Sequence, residues 1–311
     1  MTSESRSFEH EIMQSMNRRE FLTLGTLGAV GLALSPICTS TVLAQGITVA
    51  AYHDATGAYH QKQFDANDGL AKKGYRIISL SVYRDAVQPL YAAVWIKEGV
   101  NKPGVAFHGL SSAQYQQFFD TWQPKGFRPV IVTATGGGVI GLNQKNSSIF
   151  AGVFEKDATS FVAKHDINFT TFRDTCTWAK QNHYVLRWAS IYGGKDRLYA
   201  GIWEKVASNV KWDYQISIAI DGPEVGVPAT MPGNSALRLA FVTRSPFAEY
   251  LAVYRSDQVN ILKERYGMTS SQYQTQFDLL NGQGYYPLCV QAGGDPRVSN
   301  TPRFVALFKK Y

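Results

Sequence analysis

The sequence predicts an α+β repeat protein, mostly β, in which five helix-plus-antiparallel-strand units form a closed, propeller-like ring. The N-terminal strand completes the last unit of that ring. Three observations carry this expectation: an apolar strand core that recurs five times, a helix-entry motif that recurs with it, and a strand at the front that the final unit lacks. Self-similarity at a fixed period of about 50 residues is the signature of repeat architectures and takes precedence over local assignments.

The strand core reads YAAVW at 91–95, FAGVF at 150–154, YAGIW at 199–203, YLAVY at 250–254 and FVALF at 304–308. Large, small and β-branched residues alternate there as they do in strands covered on both faces. Ahead of each core lies another strand, at 75–84, 127–135, 184–192, 237–244 and 285–293, so each pair predicts an antiparallel hairpin. The helix-entry motif reads HDAT (53–56), HGLS (108–111), HDIN (165–168), YQIS (214–217) and YGMT (266–269). Its fourth residue is always a hydroxyl or amide side chain suited to an N-cap, and Ser111 with Gln114 and Thr269 with Gln272 complete capping boxes. Tyr115, Phe119 and Trp122, like Tyr273, Phe277 and Leu280, then fall at i, i+4, i+7 on one helical face. Gly126 and Gly284 stand where a helix ends, whereas His183 takes that place in the third unit. The first helix is predicted over Gly57–Lys73, and in the fourth unit a Gly/Pro-rich loop at 218–235 replaces the helix.

Successive motifs are 55, 57, 49 and 52 residues apart. Units are therefore expected at about 53–107, 108–164, 165–213, 214–265 and 266–311, with 47–52 closing the last one. An open array leaves apolar sheet edges and needs polar terminal caps; a closed one needs neither.

Residues 1–44 read as a twin-arginine export signal: Arg18 and Arg19, then an apolar Gly/Ala-rich run to about Ile37 and a cleavage point after Ala44. That route carries folded proteins, so the expected product is a periplasmic or extracellular single domain, 45–311, monomeric and without a transmembrane segment. Loss of the signal removes Arg6, Arg18, Arg19 and Glu4, Glu9, Glu11, Glu20, which raises the net charge from +7 to +8. Such an excess attracts polyanions, but no Lys/Arg run predicts a nucleic-acid site. Cys176 and Cys289 remain and allow either one disulfide or two buried thiols.

The SAQYQQFFD…GFRP and SSQYQTQFD…GYYP helices and the YAAVWIK and YAGIWEK strands resemble the bacterial tandem-repeat domain family, whose units also form the front half of fungal polyglycine hydrolases. The resemblance covers essentially all of 45–311. It implies a repeat domain that presents or binds something, because in those hydrolases the catalytic serine belongs to a separate β-lactamase-like half that these residues do not match. Ser208 in SNVK spells Ser-x-x-Lys, but it lacks a KTG segment and α/β surroundings.

The repeated His53, His108, His165, Tyr214 and Tyr266 are the candidate ligand or metal positions. Imidazoles converging on an axis could hold a transition metal; an aromatic with a hydrogen-bonded tip is equally a structural plug. Cys289, on a strand, is the candidate thiol nucleophile. The expected function is a non-catalytic module binding an envelope polymer, peptide, glycan or protein, with no cofactor. The alternative is a hydrolase using the repeated histidines or Cys289. The loops 135–148, 218–235 and 293–302 are the expected binding elements.

Overall fold

The computed structural model describes residues 47–97, 99, 102–136, 148–194, 196–218, 228–246, 249–259, 262–294 and 301–311, with backbone alone for 37–44. All lie in one compact unit, Ser35–Tyr311. Each repeat runs outer strand, inner strand, middle strand, with a helix after the outer strand in the first, second, third and fifth, and the middle strand pairs antiparallel with the other two. The first comprises β2 (Ile47–Thr56), α1 (Gly57–Asp65), β3 (Arg76–Tyr83) and β4 (Leu90–Lys97). The second comprises β5 (Gly104–Ser111), α2 (Ser112–Trp122), β6 (Phe127–Thr135) and β7 (Ile149–Lys156), and the third β8 (Phe161–Ile167), α3 (Phe169–Gln181), β9 (Tyr184–Gly193) and β10 (Arg197–Lys205). In the fourth, β11 (Trp212–Ile218), β13 (Asn234–Arg244) and β14 (Glu249–Arg255) keep the pattern, with the short β12 (Thr230–Met231) beside β13. The fifth comprises β15 (Lys263–Met268), α4 (Ser270–Gly282), β16 (Tyr285–Gly294) and β17 (Pro302–Lys310). Among the described residues this makes five antiparallel sheets and four α-helices.

Two expectations change. The strand ahead of each entry motif belongs to the unit that follows it, because its cap turns directly into the helix covering its own sheet. Accordingly 47–52 lies in β2 and pairs with β4, while β17 is already flanked by β15 and β16. The first strand therefore does not complete the last sheet. The first helix also stops at Asp65 rather than Lys73, since Ala66 is extended and the chain folds back so that Ala71 N–H reaches the Gln63 carbonyl. The other predicted features are present. Thr56, Ser111, Asn168 and Thr269 each accept from a helix N–H, and both capping boxes form. Ser217 instead continues β11, so the fourth unit has no helix among its described residues. Residues 37–44 of the expected signal form β1 (Ile37–Ala44), an outer strand on β2 with no counterpart in the other sheets among the described residues.

Every inner strand carries a β-bulge at the same place. The extra residue is Ile78, Val130, Arg187, Ala240 and Leu288 in turn. Bulges bend and twist a strand, and they explain why Pro129 and Pro287 are tolerated beside them, where the ladder is interrupted.

Side chains join the inner strands of different units. Thr133 Oγ1 accepts from Val82 N at 3.3 Å, and Ser190 Oγ accepts from Ala134 N at 3.1 Å. Ser81 Oγ accepts from Ala292 N at 3.0 Å, tying the first unit to the fifth. Ser79 Oγ does the same with Val290 N at 2.9 Å. Val49, Ala51, Val94 and Ile96 of the first sheet share a core with Tyr286, Val290, Phe304 and Phe308 of the last. At the opposite edge, Arg76 meets Glu155 at 3.5 Å and Arg128 meets Glu204 at 3.4 Å, each one unit on.

Middle strands need small residues where inner strands cross. A Cβ at Gly152 would lie 2.6 Å from the Ile131 carbonyl oxygen and 2.8 Å from the Phe107 ring. Gly152→Val is thus expected to destabilise by about 3 kcal/mol, read from urea midpoints. His183 sits at φ 60, the conformation Gly126 and Gly284 adopt at the same point. Left-handed backbone costs a non-glycine residue about 1–2 kcal/mol, more than the 0.5–1 kcal/mol of extra freedom glycine loses. His183→Gly should therefore raise the melting temperature, and a lowered one would refute this account.

Candidate functional site

The residue four places after each cap lies on the helix face that meets its sheet: His60, Tyr115, Phe172 and Tyr273. Each stacks on the first aromatic of its own middle strand, at centroid distances of 4.8 Å on Tyr91, 5.2 Å on Phe150, 4.9 Å on Tyr199 and 5.3 Å on Phe304. The repeated His/Tyr positions insert into these pairs from the neighbouring unit. His108 stands edge-on to His60 at 5.1 Å, His165 to Tyr115 at 4.8 Å, Tyr214 to Phe172 at 5.6 Å and His53 to Tyr273 at 5.2 Å. Tyr266 meets Tyr250 of the fourth unit at 5.5 Å. The five candidates therefore occupy five different unit interfaces and do not converge. No group of three His, Cys, Asp or Glu suited to a metal occurs among the described residues.

Polar tips are held locally. His108 Nε2 lies 2.7 Å from Gln61 Oε1, and His53 Nε2 lies 3.2 Å from Gln274 Oε1. His53 Nδ1 lies 3.0 Å from Asp54 and 3.1 Å from Ser270 Oγ. Ser270, His53 and Asp54 are a nucleophile, base and carboxylate in contact, but not a relay. Serine and aspartate share one ring nitrogen, and the Ser270 hydroxyl donates to Asp54 itself. A working base needs the two partners on opposite nitrogens. The same cluster recurs between the second and third units: Asp166 takes hydrogen bonds from Ser112 and Tyr192 as Asp54 does from Ser270 and Tyr83. Asp54 and Asp166 both sit at positive φ, 53 and 51, so the acid also fixes the turn into the helix.

Cys176 and Cys289 are free and buried. Burial pushes each thiol up to about 12, the wrong direction for a nucleophile. Cys289 Sγ contacts the Val242 carbonyl oxygen at 3.5 Å. Ser208 is exposed in the turn after β10.

What the units build jointly is a small depression lined by the ends of the inner strands. Ser81, Thr133, Ser190, Thr243 and Gln291 line it, all seventh in their aligned strand segments. Arg84, Arg244, Gly293 and Gly294 add to its rim. Sequence reasoning missed this set, although the recurring Ser/Thr/Gln at one register position inside apolar strands was the available signal. Of the three loops expected to bind, 137–147, 219–227 and 295–300 lie outside the described residues, but Thr135 and Gly294, which flank two of them, line the depression.

Burial lowers the His60, His108 and His165 pKa values, His108 to about 4. The unfolded chain then binds more protons than the folded one below about pH 6.5, so stability is full above that pH and falls as pH drops toward 4. Each such histidine contributes a slope of up to about 1.4 kcal/mol per pH unit. Urea unfolding of the His108→Gln variant between pH 7 and 5 should show a shallower slope than the parent; equal slopes would remove His108 from the account.

A profile of the polyglycine hydrolase-like structural repeat matches residues 46–98, 101–157, 158–206 and 262–311. The matched segments coincide with the first, second, third and fifth strand–helix–strand–strand units, and the fourth sheet between them keeps the same strand order. With two thirds of its residues in four matched copies, the chain belongs to the polyglycine hydrolase-like structural repeat family.

Proposed function

We propose that the chain is an exported, non-catalytic binding module of the cell envelope, its five units closed into a propeller-like ring. Closure is supported by the contacts between first and last units, which repeat those between successive ones. His53 enters the Tyr273–Phe304 pair as His108 enters His60–Tyr91, and Ser81 meets Ala292 as Ser190 meets Ala134. The ends are thus joined by packing and side-chain bonds rather than by strand addition. A double-mutant cycle on Asp54→Ala and Ser270→Ala, 216 residues apart in sequence, is expected to give a coupling of about 1 kcal/mol or more. The cycle at Asp166 and Ser112 serves as the adjacent-unit reference. Zero coupling at the first pair alone would break the closure.

One observation carries the functional reading: the side chains best suited to chemistry are used in unit-to-unit packing, while the polar depression stays open to solvent. The net charge of +7 favours an anionic envelope partner. The reading is tested by incubating the purified chain with isolated envelope polymer, a polyglycine peptide and an unfolded protein substrate. Sedimentation with the envelope fraction and no new fragments by mass spectrometry are the expected results. Cleavage lost in Cys289→Ala or in His108→Ala plus His165→Ala would replace this reading with the hydrolase.

A further inference from the structure

Every middle strand ends in a cation. β4, β7, β10 and β17 finish at Lys97, Lys156, Lys205 and Lys310, and β14 finishes at Arg255. Because the strands run antiparallel, these residues lie beside the starts of the inner strands, where Arg76, Arg128 and Arg238 stand. Neighbouring units present these ends together: Arg76 reaches Glu155 of the next unit, and Arg128 and Arg255 reach Glu204 of the third unit from either side. The acids here are taken up by arginines, since Asp157 also meets Arg128 at 3.0 Å and Asp257 meets Arg255 at 2.7 Å. The four strand-end lysines are exposed, and among the described residues the lysine paired with a carboxylate is a different one, Lys180. Glu98, which follows Lys97 and lies outside the described residues, offsets at most one of them. At the other end of the same sheets the two signs are matched, Arg84 with Asp85 and Arg197 with Glu249, next to Asp54 and Asp166.

The lysine-rich end also carries aromatic rings. Lys125 Nζ lies 4.9 Å from the Trp122 ring, Lys205 Nζ 5.0 Å from Tyr184 and Lys263 Nζ 4.2 Å from Tyr285, and all three rings are half-buried. Val259, 76% exposed, stands in the link from β14 to β15 at this end.

We propose that this end of the five sheets docks on an anionic lipid surface, with its lysines among the phosphate headgroups and its rings and Val259 at headgroup depth. A soluble polyanion calls for charge alone. Tyrosine and tryptophan beside flexible lysine stems suit a bilayer interface, which is charged on one side and apolar on the other. The proposal rests on the envelope reading above and gives the chain a membrane-facing end opposite the depression. Lys205 also serves the fold, because it donates to the Asn182 carbonyl at 2.7 Å where α3 ends. Lys97 and Lys156 pass Gly74 and Gly126 at the same point and keep their ammonium groups in solvent, so they are the residues to change.

The test is co-sedimentation of the exported chain, purified without its signal, with vesicles of phosphatidylcholine alone and with vesicles containing about one third phosphatidylglycerol. Binding to the second kind only, lost at high salt, is the expected result. Each lysine near such a surface strengthens binding about fivefold, so Lys97→Gln plus Lys156→Gln should weaken it about 20-fold at an unchanged melting temperature. Lys62→Gln plus Arg173→Gln removes the same charge from exposed helix positions and should change binding less than about threefold. Equal effects of the two pairs, or none from either, overturn the proposed face. Absence of vesicle binding overturns the lipid, and capture of soluble polyphosphate in its place would assign this end to a phosphate polymer. If vesicles fail while the chain still sediments with envelope polymer, the lipid is wrong and the binding-module reading stands.

Discussion

The fold depends on one contact among three aromatic side chains. A helix residue stacks on a middle-strand residue, and a histidine or tyrosine from the neighbouring unit stands edge-on to the helix residue. The arrangement is present with little variation at four interfaces: His60–Tyr91–His108, Tyr115–Phe150–His165, Phe172–Tyr199–Tyr214 and Tyr273–Phe304–His53. Edge-to-face geometry places the positive rim of one ring on the negative face of another, worth about 0.5–1.5 kcal/mol per pair beyond the burial itself. The contact constrains the inserted side chain to be flat, aromatic and polar at its tip, since the tip reaches hydrogen-bonding groups at the helix edge such as Gln61 and Gln274. Histidine and tyrosine both meet that requirement, and the position holds His in the first three units and Tyr in the last two.

The fourth unit has no helix among its described residues, and there the Arg244 guanidinium lies over the Tyr250 ring at 5.0 Å. A flat cation on an aromatic face is a fair replacement in a dry site.

Membership in the polyglycine hydrolase-like repeat family accounts for the architecture, and the contacts within it show how the chemically versatile side chains are used. Histidines buried to pKa values below the ordinary range, thiols pushed up to about 12 and a serine–aspartate pair that shares one imidazole nitrogen are all consistent with residues selected for packing. What the described units form together is a recess between strand ends.

Local signals in the sequence determined the units themselves. Caps at Thr56, Ser111, Asn168 and Thr269, the buried helix face of Tyr273, Phe277 and Leu280, and the paired strands were all legible, because capping and amphipathic spacing act over a few residues. Which sheet each outer strand joins was not legible. The strand 47–56 could pair with either of two chemically similar middle strands, and the choice was decided by the short turn from its cap into its own helix. The plug role of the repeated histidines was an open alternative in the sequence for the same reason: converging on an axis and inserting at successive interfaces have identical spacing. The aligned Ser81, Thr133, Ser190, Thr243 and Gln291 were written in the chain but meaningless until β-bulges and inter-unit packing brought five distant strand ends to one recess. Spacing along a chain sets what a residue can do within its unit, and only the assembled interfaces set what it faces.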